Sequence, residues 1–247
     1  MRIRNQGLWV GFALLAAVLS GCVRGPYVEG SGRFIEEERP TADFVKLEVS
    51  DGLEVRVRVE PGQPTQVRVV GDDNLVALVR TEHSGGDRLR VSLPEEDVGE
   101  WDSRHPLRAE LTVPRLESVV RSGGSTVDVG GTLDSESFRV SASGGGRLRV
   151  SGLDTARLDL DLSGGVEATL EGAATRVTGD TSGGSVLRAR ELSAREATLT
   201  TSGGGEVVMR VSDTLEVTSS GGGNVRIIGQ PTVRSRQLSG GSTLTLE

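Results

Sequence analysis

The tripeptide Ser-Gly-Gly begins at Ser122, Ser143, Ser163, Ser182, Ser202, Ser220 and Ser239, at spacings of 21, 20, 19, 20, 18 and 19 residues. Near-constant spacing of this kind is the mark of a repeat architecture. The flanks carry the same period. The fifth and seventh residues after each serine are Val127/Val129, Leu148/Val150, Ala168/Leu170, Leu187/Ala189, Val207/Met209, Val225/Ile227 and Leu244/Leu246, all fourteen apolar. Between them stand Asp128, Arg149, Thr169, Arg188, Val208, Arg226 and Thr245, nearly all polar. Alternation with period two describes a strand with one buried face. Upstream of the serines the pattern recurs at Phe138/Val140, Leu158/Leu160 and Leu215/Val217, whereas Gly179 and Arg236 break it. Gly131, Gly152, Gly172 and Gly229 close the downstream strands.

Each repeat therefore reads strand, Ser-Gly-Gly turn, strand, turn. One such pair cannot bury its own apolar face, but stacked copies can. The pattern predicts an all-β fold, a parallel β-solenoid (right-handed β-helix) with coils of about 20 residues rising about 4.8 Å each. Rows of Val, Leu and Ile fill the core, in keeping with an aromatic content of only 3%. Gly-Gly supplies backbone angles closed to other residues. The serines are expected to stack and exchange hydrogen bonds along the corner. A phosphate-binding reading of the glycines fails, because no helix and no Lys follows them.

Residues 41–121 precede the repeats. Phe44–Val49, Leu53–Val59, Gln66–Val70, Arg88–Leu93 and Leu107–Val113 alternate as strands, with Pro61-Gly62, Gly71-Asp72 and Gly85-Gly86 as turns. Asp73–Arg80 fits a short helix or a strand, and the acidic Pro94–Pro106 reads as a loop. This region is expected to lead into and cap the solenoid of residues 122–247, covering an edge that otherwise templates aggregation. The strand Leu244–Glu247 at the other edge is a candidate homo-oligomer contact.

The first residues carry Arg2 and Arg4 ahead of the apolar Leu8–Leu19, then Leu19-Ser20-Gly21-Cys22. Twelve apolar residues are too few to span a bilayer. Residues 1–21 read as a cleavable export signal and Cys22, the chain's one cysteine, as the lipid-attachment residue of a lipobox. Val23 rather than Asp after the cysteine matches outer-membrane sorting, with the protein facing the periplasm or the surface. Residues 22–40, including Val23–Arg39 with its Glu36-Glu37-Glu38 run, read as a lipidated tether. Removing Arg2 and Arg4 leaves 26 basic against 35 acidic residues, a net charge of −9. That balance argues against a nucleic-acid partner. One cysteine permits no intrachain disulfide and no cysteine-based zinc site.

Phe44–Glu247 resembles the GIN-type "putative auto-transporter adhesin" head domain family. The resemblance rests on Phe-Val-Lys-Leu-Glu-Val from Phe44, Leu53–Val59 with Pro61-Gly62, Val67–Val70 and Gly71-Asp72-Asp73-Asn74-Leu75. It continues through Leu89–Leu93, then Leu111-Thr112-Val113-Pro114-Arg115-Leu116, then the serial Ser-Gly-Gly. The Leu-Thr-Val-Pro-x-Leu step before Ser-Gly-Gly is its most specific part. The resemblance implies a parallel β-solenoid on an exported protein, often lipid-anchored. It supplies no catalytic or binding residue to carry over. The repeats here use Val, Leu and Arg where the family's name refers to Gly, Ile and Asn, with Asn224 the lone matching Asn.

A search for chemistry yields little. His83 and His105 lie outside any metal-ligand spacing, and the repeated serines are not in a Gly-x-Ser-x-Gly elbow. Asp154, Asp159, Asp161 and Asp180 are the carboxylates to weigh for sugar cleavage. Outward Arg147, Arg149, Arg188, Arg190, Arg210 and Arg226, interleaved with Glu167, Glu171 and Glu206, suit mixed surface charge or a face for a polyanionic glycan or protein. The expected function is a non-catalytic, lipid-anchored envelope protein, a binding or adhesin-like scaffold with the membrane and an envelope protein or glycan as partners. Catalytic residues, metal and cofactor are read as none. The alternatives are a polysaccharide-processing enzyme on a β-solenoid and a periplasmic signalling accessory.

Overall fold

The computed structural model describes residues 25–94 and 96–247. The export signal and Cys22 lie outside the described residues. The fold is a parallel β-solenoid of about six turns, and the described residues are 68% strand and 2% helix.

Each coil has three sides. In the extended run Arg147–Gly164, residues 147–150 form side B, 153–155 the short side C, and 157–162 side A. The next Ser-Gly-Gly then turns the chain onto side B again. Glu167–Gly183, Val186–Gly203 and Glu206–Gly221 follow the same course, and one coil earlier Thr126–Gly131 supplies side B and Leu133–Gly144 sides C and A. Two-strand periodicity had shown sides A and B. Side C is short, and its small or polar Thr155 and Ala174 among the buried residues left no apolar alternation to read.

Parallel register aligns the inward residues in rows. On side A one row runs Leu89, Leu47, Val119, Val140, Leu160, Gly179, Leu199, Val217. On side B another runs Ala109, Val55, Val127, Leu148, Ala168, Leu187, Val207, Val225, Leu244. Twelve of the fourteen alternating apolar residues are buried. Leu244 is half-buried and Leu246 is 46% exposed, because their layer is stacked on one side only. The two breaks in the pattern have physical reasons. At Gly179 an added Cβ would press within 3.1 Å of Leu199 Cδ2, so the larger neighbour occupies that space. Arg236 is the register partner of Val217, so an exposed charge ends this inward row. An inward charge at a sheet edge discourages pairing with another chain.

The Ser-Gly-Gly corner is a hydrogen-bonded stack. The first glycine turns with positive φ, +85° at Gly164, and its carbonyl accepts from the second glycine of the next coil, Gly184 N–H to Gly164 O at 2.8 Å. A Cβ on Gly164 would also lie 3.0 Å from the Gly144 oxygen one coil earlier. The second glycine, Gly165, faces open space. The hydroxyl bonds at this corner come from the residue after Gly-Gly, not from the leading serine. Ser185 donates to the carbonyls of Ser182 (3.0 Å) and Gly164 (3.2 Å), and Ser242 donates to Ser239 (2.9 Å).

The segment before the repeats contributes two further layers in swapped order. Residues 46–49 and 54–59 lie directly under 118–121 and 126–131. Residues 88–91 and 108–113, later in the chain, lie beneath 46–59. The chain thus starts in the second layer, drops to the first, then passes up to the third. Antiparallel strands cover the outer edge. Arg80–Ser84 pairs with 88–92, Gln66–Asp72 pairs with 108–112, and Phe34–Glu38 pairs with 68–72. Asp73–Val76 is a single helical turn that buries Leu75 and Val76.

Three local expectations change. Residues 27–38 are not free tether: Tyr27–Glu29 pairs with Glu100–Asp102, and Phe34–Glu38 joins the cap. The Glu36 to Glu38 run alternates, with Glu36 and Glu38 exposed and Glu37 half-buried on the opposite face of a strand that covers the sheet edge. The loop after Pro94 contains the strand that receives Tyr27–Glu29.

Candidate functional site

Side B continues from the cap to the last layer as eleven adjacent strands, about 48 Å at the usual strand spacing. One outward row reads Arg68, Glu110, Arg56, Asp128, Arg149, Thr169, Arg188, Val208, Arg226, Thr245. Arginine occupies every second strand, a period of about 9.6 Å. The sequence period within one coil cannot show this row, because Arg56 and Arg68 reach it only through the swapped layers.

Neighbouring carboxylates orient these arginines. Arg68 pairs with Glu36 (2.7 Å) and Glu110 (2.6 Å), Arg56 with Glu54 (2.8 Å), Arg149 with Glu171 (2.7 Å) and Arg226 with Glu247 (3.2 Å). Glu167 is held between Arg147 (3.1 Å) and Arg188. The hydrogen bond from Arg147 and the charge of Arg188 hold the Glu167 carboxyl below its ordinary range. Burial pushes Glu110 up, but the hydrogen bonds from Arg108 and Arg68 and the charges of both outweigh it, and the net shift is downward. Of the arginines read from sequence, Arg190 and Arg210 stand apart: Arg210 Nε donates to the Arg190 carbonyl at 3.3 Å. In the cap half, a groove of about 1300 Å³ on this face is lined by Arg39, Arg56, Arg58 and Arg68 together with Glu38, Glu60, Glu110 and Asp128.

Three of the four carboxylates weighed for sugar cleavage lie together, lining a groove of about 740 Å³ on side A. Asp161 and Asp180 are register partners on side A, and Asp159 lies beside them on the same face, paired with Arg139 at 3.5 Å. Asp154 lies on side C. Among the described residues no group of three His, Cys, Asp or Glu is placed to hold a metal ion. His83 Nε2 takes the Thr41 hydroxyl (2.7 Å) and the Ala42 N–H (3.2 Å), tying the entry to the first side-A strand.

Two buried polar residues carry structural work that the sequence did not announce. Asp72 is fully buried and accepts from the amides of Gly32 (3.1 Å), Arg104 (2.7 Å) and His105 (3.3 Å), with the His105 ring at 2.7 Å. Burial raises its pKa, but the His105 ring and the Arg104 and His105 amides together leave it below the usual carboxylate range. Arg121 is also fully buried, in the inward row between Val49 and Ala142. Its Nη1 caps the carbonyls of Gly123 (2.7 Å), Ser125 (3.4 Å) and Gly145, while Nε and Nη2 have no partner. Burial lowers its pKa. Gly71-Asp72 had read as a turn and Arg121 as the residue before a repeat.

Among the described residues no helix is long and apolar enough to cross a membrane. The solenoid is similar to that of a "putative adhesin" from Bacteroides fragilis, with a TM-score of 0.79 at 19% identity over 89% of this chain and 98% of that one. It is similar also to a "putative lipid binding protein" from Parabacteroides distasonis (TM-score 0.72, 16% identity, 90% and 100% coverage). A "putative adhesin" from the same organism matches at TM-score 0.72 and 18% identity, with 90% and 100% coverage. At these identities the likeness establishes the fold. No curated protein matches the chain by sequence. The family model described as "putative auto-transporter adhesin, head GIN domain", a description of adhesins and not of enzymes, matches residues 43–231, and the chain belongs to that family.

Proposed function

We propose that this protein is a non-catalytic, adhesin-like scaffold of the cell envelope, lipid-anchored through Cys22 to the outer membrane, that binds a polyanionic glycan or envelope protein along side B. The observation that carries the reading is the row Arg68, Arg56, Arg149, Arg188, Arg226, with one arginine on every second strand. A rigid sheet holds these guanidiniums at fixed intervals, and guanidinium presents a planar fork suited to carboxylate and phosphate. A partner with anionic groups at a similar interval exchanges each intramolecular carboxylate for its own. Exposed pairs of this kind cost little to open.

The test uses the full mature protein against acidic and neutral polysaccharides and envelope extracts. Binding is expected to select acidic partners and weaken with salt. The triple variant Arg149→Gln, Arg188→Gln, Arg226→Gln is expected to lose it while remaining folded by circular dichroism. Undiminished binding by that variant, or cleavage of the polysaccharide, overturns the reading. Palmitate labelling tests the anchor separately: label is expected on the native chain and absent from Cys22→Ala.

A further inference from the structure

The chain is fastened to the fold from Gly25 onward. The Gly25 backbone lies so close over Gly99 that any side chain at Gly99 would strike the Gly25 carbonyl. Gly99 N–H donates to the Pro26 carbonyl at 3.0 Å, and Tyr27–Glu29 then pairs in parallel with Glu100–Asp102. The following turn is tied down as firmly. Gly30 N–H bonds Asp102 O (2.8 Å), Asn74 Nδ2 bonds Glu29 O (2.8 Å), and Gly32 N–H bonds the buried Asp72 (3.1 Å). Only Val23 and Arg24 separate Cys22 from this docked strap. Three Cα steps of 3.8 Å reach at most about 11 Å.

A lipid on Cys22 therefore holds the strap and the 97–105 loop at the bilayer surface. The strap carries two of the exposed large hydrophobic side chains, Tyr27 at 61% and Phe34 at 48%. Phe34 rests on the His105 ring of the same loop, centroids 5.5 Å apart. Aromatic rings, tyrosine above all, favour the headgroup region, where an apolar body and a polar tip are both satisfied. The strap and loop carry Glu29, Asp97, Glu100 and Asp102 against Arg33 and Arg104, with Arg104 paired to Glu29, and this net acidic balance disfavours an anionic surface.

We propose that the strap of residues 25–34 and the loop of residues 97–105 form a membrane-contacting edge whose Tyr27 and Phe34 enter the headgroup layer of a neutral bilayer. The proposal rests on the lipid-anchor reading and adds how the domain sits: directly on the membrane, capped end inward, rather than on a spacer.

The mature chain offers a built-in probe. Trp9 leaves with the signal, so Trp101 is the one remaining tryptophan, and it is the register partner of Val28 in the strap. Acylated full-length mature protein is reconstituted on phosphatidylcholine vesicles with and without headgroup nitroxide lipid. Trp101 emission is expected to fall with the nitroxide, while a fluorophore at Thr245→Cys, in the last layer, keeps its emission. Replacing Tyr27 and Phe34 with Ser is expected to reduce the Trp101 quenching, with acylation unchanged by mass of the N-terminal peptide. Unquenched Trp101 in protein that co-floats with vesicles overturns the membrane-contacting edge and leaves the anchor standing. An N-terminal peptide without acyl mass overturns both.

Discussion

Residues 46–113 and residues 118–246 build the same stack by opposite means. The repeat segment advances one layer per lap, turning each time on Ser-Gly-Gly, and every corner rests on the corner before it. The earlier segment visits its two layers out of order. It links side A to side B through Ser50–Leu53 in one layer and through the long 93–107 connection in the other. Its outer edge is then closed by antiparallel strands. In the repeat, register is copied from a neighbouring corner. In the cap, register depends on particular buried residues such as Asp72 that tie distant segments together. The first arrangement concentrates its sensitivity at the glycines, the second at its polar junctions.

The largest expected effect separates two adjacent glycines of one corner. Gly164→Ala forces a Cβ into positive φ and against the Gly144 carbonyl. Backbone strain plus the clash predict a loss on the order of 3 kcal/mol in urea unfolding. Gly165→Ala, with open space around it, is expected to stay within about 0.5 kcal/mol of the native protein. Equal losses at both positions would refute corner-on-corner stacking as the source of register.

The counterpart in the cap is Asp72→Ala. It leaves the amides of Gly32, Arg104 and His105 without their buried acceptor. Buried donors left unmade are costly, so the strap is expected to open locally. Limited proteolysis should cut between residues 25 and 40 many times faster than in the native protein while the repeats remain resistant. Acid should mimic the variant. The folded-state pKa of Asp72 lies below its ordinary value, so its stabilisation is full above about pH 4. It is lost as pH falls through the lowered folded-state value. Amide exchange in the strap that does not accelerate there would remove Asp72 from this role.

How much of this was legible in the sequence follows the same division. Alternation and spacing were sufficient for sides A and B, because those strands bury one face each and repeat in register. Side C was missed, since Leu153, Thr155, Gly172 and Ala174 mix polar and small residues with an apolar one at the lining positions. The swapped layers were illegible because chain order says nothing about stacking order when loops are long. The strap at 27–38 was misread because its Gly, Pro and Glu content is also that of a linker. What decides the matter is the partner strand at Glu100–Asp102, seventy residues away. The arginine row was half visible: Arg149, Arg188 and Arg226 fall at one repeat position, but Arg56 and Arg68 join them only through the fold.

Arg121 stands where the two segments meet, and it sharpens the contrast at smaller magnitude. A buried guanidinium with two unpartnered nitrogens and no carboxylate opposes folding through desolvation. Of the three carbonyls it caps, those of Gly123 and Gly145 belong to exposed glycines, and the buried Ser125 carbonyl also accepts from the Arg147 amide. Exchange of a buried charge for an apolar side chain is often stabilising, so Arg121→Leu is expected to raise stability by about 1 kcal/mol. A loss instead would show that capping these carbonyls is what joins the cap to the first repeat.

The smallest effect compares one motif in both segments. Glu110 in the cap and Glu167 in the repeats each sit between two arginines, Arg68 and Arg108 in one case, Arg147 and Arg188 in the other. The Glu110 side chain is 24% exposed and the Glu167 side chain 40%. Solvent screens the second pair more, and its strand is already held by backbone ladders and glycine corners on both sides. Glu110→Gln is therefore expected to cost about 1 kcal/mol. Glu167→Gln is expected to leave the urea midpoint unchanged. If Glu167→Gln proves the costlier of the two, the repeat relies on its charges for register. The arginines of side B would then be committed to the fold, with no surplus to exchange with an anionic partner.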